Sequence, residues 1–394
     1  KRIPLKLPMP FSLMMEREYY QPLWIIVHEF GIRKQGEKTY SAPFSAYLYG
    51  KEYIITSEGN QFWGYPRLKY GGAHLSNPEM GKSRDIFIKS LSGFSKGAGL
   101  SLFFIVLLWS LFKEKKQQLF KSEVSKAVWG AVFFLVSTSY MLIELSLYYH
   151  IMGTDKVGED VFYQTIKSIR TGLVIGTLTT LIMLPLAILF GILAGYFRGW
   201  VDDVIQYIYT TLNSIPGVLL IAASILMVQV YMANHEEAYA SLEIRADMRL
   251  LFLCLILGVT SWTGLCRLLR AETLKLREME YIQAAQALGV RQGVILIRHI
   301  LPNVMHIVLI SVVLDFSGLV LAEAVLSYIN IGVDPTTYSW GNMINSARLE
   351  MAREPIVWWP LSAAFIFMFS LVLAANLFAD VVRDAFDPRR QSHD

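Results

Sequence analysis

A stretch of 25 residues without a charge, from position 173 to position 197, limits the possible folds of this chain more than any other feature. An α-helix rises about 1.5 Å per residue, and about 20 apolar residues cross the roughly 30 Å hydrocarbon core of a bilayer. Four more segments are predominantly apolar: residues 205–232, 250–266, 303–325 and 356–379. The sequence therefore predicts an all-α polytopic membrane protein with five core spans.

The composition agrees with a membrane protein and argues against several kinds of site. Of the 394 residues, 54% are hydrophobic and 17% are charged, and a net charge of +4 does not indicate a nucleic-acid partner. Cys254 and Cys266 lie about 18 Å apart if the segment between them is helical, so no disulfide is expected. His299 and His306 share a helical face but have no further ligands nearby, so no metal site is predicted.

Basic residues set the predicted topology. Five lysines lie between Lys113 and Lys126, and six basic residues lie between Arg267 and Arg298. Cytoplasmic loops of membrane proteins carry such an excess of Lys and Arg, so both loops are expected inside. Residues 233–248 are acidic, which suits an outer loop. Counting back from the second basic loop, span 173–197 runs from outside to inside.

The region before residue 150 allows two arrangements. Residues 1–97 are polar to mixed, and the apolar segments 97–112 and 127–149 flank the lysine-rich loop. If both segments span, residues 1–97 are extracytoplasmic and a further helix is expected upstream of Lys1. If only the second spans, residues 1–126 are cytoplasmic. We prefer the first arrangement, because residues 97–112 would otherwise be an exposed apolar run.

The preferred arrangement divides the chain into three parts. These are an extramembrane region at 1–97 with a short strand near residues 53–56, an additional transmembrane hairpin at 98–150 and a membrane-spanning core at 151–394.

The stretch Glu280–Pro302, EYIQAAQALGVRQGVILIRHILP, is the most distinctive in the chain. Four residues fall at i, i+3, i+4 and i+7 and so share a face of a short helix: Tyr281, Ala284, Ala285 and Leu288. The two alanines make that face shallow, so a partner can approach the backbone closely. Gly289 can take the left-handed conformation that ends a helix. The alternative is an ordinary loop lying on lipid headgroups, although alanine and glycine are poor anchors there.

This stretch resembles the EAA loop of ABC importer permeases, in which E-A-A, three residues, Gly, nine residues and I-x-L-P form the docking element for an ATPase. The positions that correspond to this pattern are Gln283, Ala284, Ala285, Gly289, His299, Leu301 and Pro302. Gln283 stands where the pattern has Glu, and His299 stands where it has Ile. The resemblance implies an ATPase-docking loop at 271–302, with these docking residues: Glu280, Tyr281, Gln283, Ala284, Ala285, Leu288, Gly289 and Pro302.

Three further segments resemble the oligopeptide, dipeptide and nickel importer permeases. The first, GTDxxGxDVF, begins at Gly153, and the second, LAEAxLS…GxxPxxxSWG, runs from Leu321 to Gly341 with Asn330 where Gly is usual. The third is the ending RDAFDPR at 383–389. Within the family, the loop and the long first region are most similar to the microcin C-type peptide importers.

The resemblance implies a type I permease core that forms half of a translocation pathway for peptides in the bacterial inner membrane. The chain itself is not expected to be an enzyme or to bind a cofactor, because Gly81–Lys82–Ser83 lacks the first glycine of a phosphate-binding loop. Partner ATPases are expected to bind ATP. The expected partners are a second permease in a heterodimer, two ATPase subunits, an extracytoplasmic solute-binding protein and the bilayer.

Several polar residues within the spans are candidates for a role in transport. Asp315 lies in mid-span, where it is expected either to make a buried structural hydrogen bond or to line the translocation pathway. Asn213 and Pro216 interrupt an apolar segment, and they are candidate pathway residues together with Asp315. Glu323, Asp155 and Asp160 are predicted to be structural, with either Asp155 or Asp160 as a helix cap. The open alternatives are an importer of nickel or another small solute, a secondary transporter and a membrane scaffold.

Overall fold

The computed structural model describes residues 39–55, 61–111, 123–235, 241–352 and 356–386. The first 38 positions of the predicted extramembrane region, most of the lysine-rich loop and the last three residues of the RDAFDPR ending lie outside these residues. Within the described residues, seven helical stretches are long and apolar enough to cross a membrane. The chain divides into two compact units, Lys1–Tyr163 and Gln164–Asp394.

The first unit contains a β-hairpin and two long helices. β1 (Glu52–Ile55) pairs antiparallel with β2 (Gln61–Gly64). α1 (Pro78–Leu111) packs against α2 (Glu123–Ser146) at close range, because a Cβ at Gly97 would lie only 2.7 Å from a backbone Cα of α2. α1 runs unbroken through Gly97, so the boundary predicted at 97/98 falls inside a helix. No proline interrupts residues 79–111, and the polar first half of the helix therefore continues directly into its apolar second half.

A polar turn precedes α3 (Val161–Phe197). The Oδ1 atom of Asp155 accepts hydrogen bonds from two backbone N–H groups of this turn, both at 2.9 Å. The Oδ1 atom of Asp160 accepts a hydrogen bond from the Tyr163 N–H at 3.0 Å, at the start of α3. Both aspartates thus satisfy backbone donors that would otherwise lack partners at a helix start or a turn.

The second unit is helical. Its elements after α3 are α4 (Trp200–Ser214), α5 (Gly217–Asn234), α6 (Leu242–Ser261), α7 (Thr263–Arg277), α8 (Glu280–Ala287), α9 (Gln292–Ile295), a π-helical turn (Leu296–Ile300), α10 (Leu301–Tyr328), α11 (Trp340–Glu350) and α12 (Trp359–Phe386).

The apolar segment 205–232, predicted as one span, is two helices in the structure. α4 ends at Ser214 and α5 begins at Gly217, and Ile215 between them is extended, with φ −92° and ψ 131°. Pro216 explains the break, because its ring disfavours helical geometry at the preceding residue and it has no N–H to donate. α4 is therefore a separate helix that lies between α3 and α5 in the sequence.

Two apolar clusters form the core of the second unit. The loop-side cluster includes Met183, Tyr209, Leu269, Ile282, Ile300 and Val304, which come from α3, α4, α7, α8, the π-helical turn and α10. The far-side cluster includes Ile175, Ile225, Leu253, Leu257, Leu319 and Leu326, which come from α3, α5, α6 and α10. Each cluster joins elements that are distant in sequence, and burial of such side chains supplies the main stabilisation of the packed bundle.

Two glycines four residues apart let α3 and α7 touch. A Cβ at Gly191 would lie 2.7 Å from the Leu269 Cβ, and a Cβ at Gly195 would lie 2.7 Å from the Arg270 carbonyl oxygen. Small residues at this spacing permit close backbone approach between membrane helices. α3 therefore fixes the position of α7, the helix that leads into the predicted docking loop.

Candidate functional site: an exposed short helix between α7 and α10

The short helix α8 is held in place by one buried side chain. Ile282 is fully buried and belongs to the loop-side cluster. Ala285 lies one turn further along on the same side and packs against the same cluster. α8 is therefore anchored to the spanning helices through its inner face, although it is only eight residues long.

The outer face of α8 is apolar and exposed. Leu288, which follows the helix, is 84% exposed, Tyr281 is 42% exposed, and Ala284 between them is also exposed. Glu280 lies on the same side. An exposed Leu beside an exposed Tyr on a short loop helix is typical of a protein contact surface.

The predicted docking residue Ala285 does not lie on this outer face. Ala285 is half-buried against the loop-side cluster, because it follows Ile282 by three residues and therefore shares its side of the helix. Ala285 allows close seating of α8 on its own chain rather than contact with a partner. Ile282 did not appear among the predicted residues. The sequence did contain a signal for this residue, because Ile282 is the only β-branched residue of α8.

Gly289 ends α8 in a Schellman motif. Its φ is +73°, the Val290 N–H donates to the Ala285 carbonyl at 3.1 Å, and the Gly289 N–H donates to the Gln286 carbonyl at 3.0 Å. This is the geometry in which glycine is favoured at a helix end. A Cβ at this position would meet no atom within 4 Å, so the glycine is needed for its conformation and not for space.

Polar contacts tie the docking segment to the end of α3. The Arg277 guanidinium donates to the Tyr196 carbonyl at 2.9 Å, and the Gln286 amide donates to the Tyr196 hydroxyl at 3.3 Å. Arg198 forms an ion pair with Glu278 at 2.5 Å. Tyr196 therefore contacts both α7 and α8.

Gln283, which stands where the EAA pattern has Glu, uses its side chain within its own segment. Its amide nitrogen lies 3.3 Å from the Glu278 carbonyl oxygen, and the side chain is exposed. A neutral amide can donate this bond, whereas a carboxylate cannot. No ion pair from position 283 is present in the described part of the chain.

Pro302 lies directly after a π-helical turn. The Leu301 N–H donates to the Leu296 carbonyl, five residues back, instead of the usual four. Proline at position 302 can donate no bond, and its ring crowds the carbonyl of residue 298, which accounts for a widened turn at this point. The Asn303 amide then donates to the Tyr281 hydroxyl at 3.2 Å, linking the start of α10 to α8.

A partly buried ion pair joins α4 to α7 near the docking segment. The Arg270 Nε and Nη2 atoms donate to the two carboxylate oxygens of Asp202 at 2.6 and 2.7 Å. This hydrogen-bonded guanidinium lowers the pKa of Asp202 below its usual range. Sequence periodicity could not reveal this pair, because its members lie 68 positions apart.

The motif from Leu321 to Gly341 forms a closely packed turn at the C-terminal end of α10. Glu323 is buried, and its carboxylate accepts a 2.6 Å hydrogen bond from the Ser327 hydroxyl. A Cβ at Gly341 would lie 2.5 Å from the Ser327 Cβ, so only glycine fits there. Asn330 has a φ of +63°, in the left-handed region that glycine and, less often, asparagine adopt. The contacts of Glu323 are consistent with the structural role predicted for it.

The three predicted pathway residues differ in their surroundings. Asn213 accepts a 3.1 Å hydrogen bond from the Thr263 hydroxyl, which links α4 to α7. Pro216 is exposed, and its carbonyl accepts hydrogen bonds from the Leu219 and Leu220 N–H groups in the first turn of α5. Asp315 is half-buried at the middle of α10 and makes no hydrogen bond or ion pair with any residue that the structure describes. The structure does not join the three into one contact network.

Comparison with known proteins adds independent information. Residues 187–392, just over half of the chain, match the family described as "Binding-protein-dependent transport system inner membrane component". The glutathione transport system permease protein GsiD of Pectobacterium atrosepticum is 32% identical over 62% of this chain and 74% of its own length. The oligopeptide transport system permease protein OppC of Mycobacterium tuberculosis is 31% identical over 62% and 77%.

One solved structure shows a weaker likeness. The methionine ABC transporter MetNI, in an inward-facing conformation, matches 56% of this chain and 93% of its own at 16% identity, with a TM-score of 0.40. A TM-score of 0.40 is too low to establish a shared fold.

Proposed function

The chain belongs to the family of inner membrane components of binding-protein-dependent transport systems, and from that premise we propose that it imports peptides by coupling to an ATPase through α8. It is a predominantly α-helical, multi-pass protein of the bacterial inner membrane and a transport subunit of an ABC importer. Hydrolysis of ATP belongs to a separate partner chain.

The observation that carries the proposal is the two-sided construction of α8. Its inner face is fixed by Ile282 in the loop-side cluster, and its outer face presents Ala284 and Leu288 to solvent. A side chain as apolar as Leu288 gains free energy when a partner covers it. A groove on the ATPase that receives this face would therefore grip a helix that is already attached to the spans.

Side-chain contacts connect α8 and the adjoining α7 directly to other helices of the second unit. Tyr196 connects it to α3, and the Arg270–Asp202 pair connects the adjoining α7 to α4. The Asn303–Tyr281 bond connects it to α10. We propose that closure of two ATPases on ATP shifts α8 as a rigid body, and that these contacts pass the shift to the helices lining the pathway. This transmission would produce alternating access.

Peptides are the proposed substrates because the similar permeases are named for glutathione and oligopeptide transport. A second permease subunit is proposed to complete the pathway. The exposed break at Ile215–Pro216 supports this, since non-helical backbone at membrane depth requires cover by protein or contact with a water-filled cavity. A solute-binding protein is proposed to deliver the peptide, and ATP is proposed to bind to the partner ATPases alone.

Reconstitution tests the proposal. The complex purified gently from its native membrane is placed in proteoliposomes, and ATP-dependent uptake of a labelled peptide is measured with wild-type chain, Ala284→Trp and Ala233→Trp. Both alanines are exposed, but Ala233 lies at the C-terminal end of α5, outside the docking loop. We expect Ala284→Trp to uncouple ATP hydrolysis from uptake, and Ala233→Trp to behave as wild type. Absence of peptide uptake by the wild-type complex, or full uptake by Ala284→Trp, would contradict the proposal.

A further inference from the structure

The two apolar clusters of the second unit are separated by a polar layer. On α3, Thr179 and Thr180 lie between Leu178 of the far-side cluster and Met183 of the loop-side cluster. At the break between α4 and α5, the segment 213–217 lies in the same way between residues of the two clusters. The bundle is thus apolar in two tiers and polar between them.

The same layer continues on α6 and α7. Thr260 and Ser261 lie between Leu257 of the far-side cluster and Trp262 of the loop-side cluster. Some of these groups are already satisfied: the Thr260 hydroxyl donates to the Ile256 carbonyl at 2.8 Å. They provide a polar environment without providing a charge.

Asp315 is the contribution of α10 to this layer. It follows Val308 by seven residues and precedes Leu319 by four, so it lies on the stripe of α10 that those buried residues define. Val308 belongs to the loop-side cluster and Leu319 to the far-side cluster. Asp315 is also at the centre of α10, roughly 20 Å from either end by the helical rise.

The spans of the second unit, as far as the structure describes them, carry no Lys or Arg in their middle parts. The sequence contains no Lys or Arg in residues 171–197, 199–244, 250–266 and 299–347. An isolated carboxylate at the bilayer centre costs several kcal/mol unless it is paired or hydrated, so such residues face a pathway or a partner charge. The opposite charge must therefore come from outside these segments.

We infer that Asp315 binds the positive charge of the transported peptide at the middle of the pathway, and that the importer favours substrates with an ammonium or guanidinium group. The inference rests on the proposed peptide import. The half-buried carboxylate offers acceptor oxygens at a place where hydration is incomplete, and a passing cation would replace the missing partner. The Thr, Ser and Asn groups of the polar layer would accommodate the rest of the polar peptide backbone.

The test compares three peptides of equal length in the reconstituted complex. One is neutral, with blocked termini; the second adds a free N-terminal ammonium; the third keeps blocked termini and carries one lysine. Uptake is measured with wild-type chain, Asp315→Asn, Asp315→Glu and Ser317→Ala. Asp315→Asn removes the charge at nearly constant volume, and Ser317→Ala changes a residue at the same depth whose hydroxyl points to Asn376 of α12. Because the binding protein is the same throughout, its selectivity cancels in the ratio of variant to wild type.

We expect Asp315→Asn to lower uptake of at least one charged peptide relative to the neutral one by about tenfold, which corresponds to about 1.4 kcal/mol. Asp315→Glu should keep the preference, and Ser317→Ala should leave it unchanged. Which charged peptide responds distinguishes the terminal ammonium from the lysine side chain. An equal loss for all three peptides, or no loss for any, would overturn the inference. If the wild-type complex transports none of them, peptide import itself is wrong.

Discussion

Arg270 on α7 donates two hydrogen bonds, at 2.6 and 2.7 Å, to the two carboxylate oxygens of Asp202 on α4. The pair is mostly shielded from solvent, with side-chain exposures of 24% and 11%. Such a bidentate contact fixes the relative orientation of two helices as well as their distance. It lies between the docking helix and the broken α4–α5 pair, so it is part of the proposed route from ATPase to pathway.

The first prediction concerns this pair. Arg270→Lys keeps the positive charge but cannot form the two-pronged bond, because an ammonium group is not planar. We expect the complex to assemble while peptide-stimulated ATP hydrolysis falls about threefold to tenfold, which is about 0.7 to 1.4 kcal/mol. Hydrolysis is measured in proteoliposomes with Lys275→Arg, an exposed residue of the same helix, as the control. Wild-type stimulation in Arg270→Lys would remove the pair from the route.

The second prediction concerns the effect of low pH on the stability of the fold. The pKa of Asp202 is lowered in the folded protein by its hydrogen bonds with Arg270, so the pair stabilises the fold at any pH above the unfolded value of about 3.9. That stabilisation is lost as the pH falls below 3.9 and through the lower folded-state pKa. Thermal unfolding of the detergent-purified chain should therefore depend less on pH in Asp202→Asn than in wild type below pH 4. Identical pH dependence of the two melting temperatures would contradict this.

The third prediction concerns the anchor of α8. Ile282→Ala removes a fully buried side chain and should destabilise the seating of α8 by about 2 to 4 kcal/mol. Ile297→Ala makes the same chemical change at a residue that is 69% exposed, and should change stability by less than about 0.5 kcal/mol. Hydrogen exchange of the amides in 280–288 reports the difference. Equal protection in the two variants would show that Ile282 is not the anchor.

The fourth prediction concerns the end of α8. Gly289→Ala places a Cβ on a residue with φ of +73° and should cost about 1 kcal/mol, although no atom obstructs the Cβ. Gly293→Ala adds the same methyl group in α9, also in open space, and should be neutral or stabilising. We expect only Gly289→Ala to reduce the ratio of peptide taken up to ATP hydrolysed. A reduced ratio in both variants would point to steric interference with the partner rather than to helix termination.

Apolar runs were a good guide to the fold, because the cost of placing charge in hydrocarbon leaves long uncharged segments few alternatives. Turns could also be predicted at residues whose backbone has a specific conformational requirement. Gly289 has the left-handed conformation that was expected, and the helix breaks at Pro216, which was predicted to interrupt the apolar segment. The sequence did not show that α4 and α5, which this break separates, belong to different apolar clusters. That difference depends on which other helices pack against each of them.

The docking face was predicted less completely. Spacing grouped Ala284 with Ala285, but an eight-residue helix has only about two turns, and neighbouring alanines do not show which one faces inward. The packing of Ile282 on residues far away in the chain decides the orientation. The Asp202–Arg270 and Gln286–Tyr196 contacts are equally long-range, and no local pattern encodes them.

Site-specific photo-cross-linking in the native membrane tests the central claim most directly. A photoreactive amino acid is placed at Leu288, which is 84% exposed beside α8, and in a matched preparation at Met227, which is 71% exposed on α5. The chain is then purified with its adducts, which are identified by mass spectrometry. The docking account predicts an ATPase subunit joined at position 288 and none at position 227. Adducts of position 288 with lipid alone, or with copies of this chain alone, would contradict it.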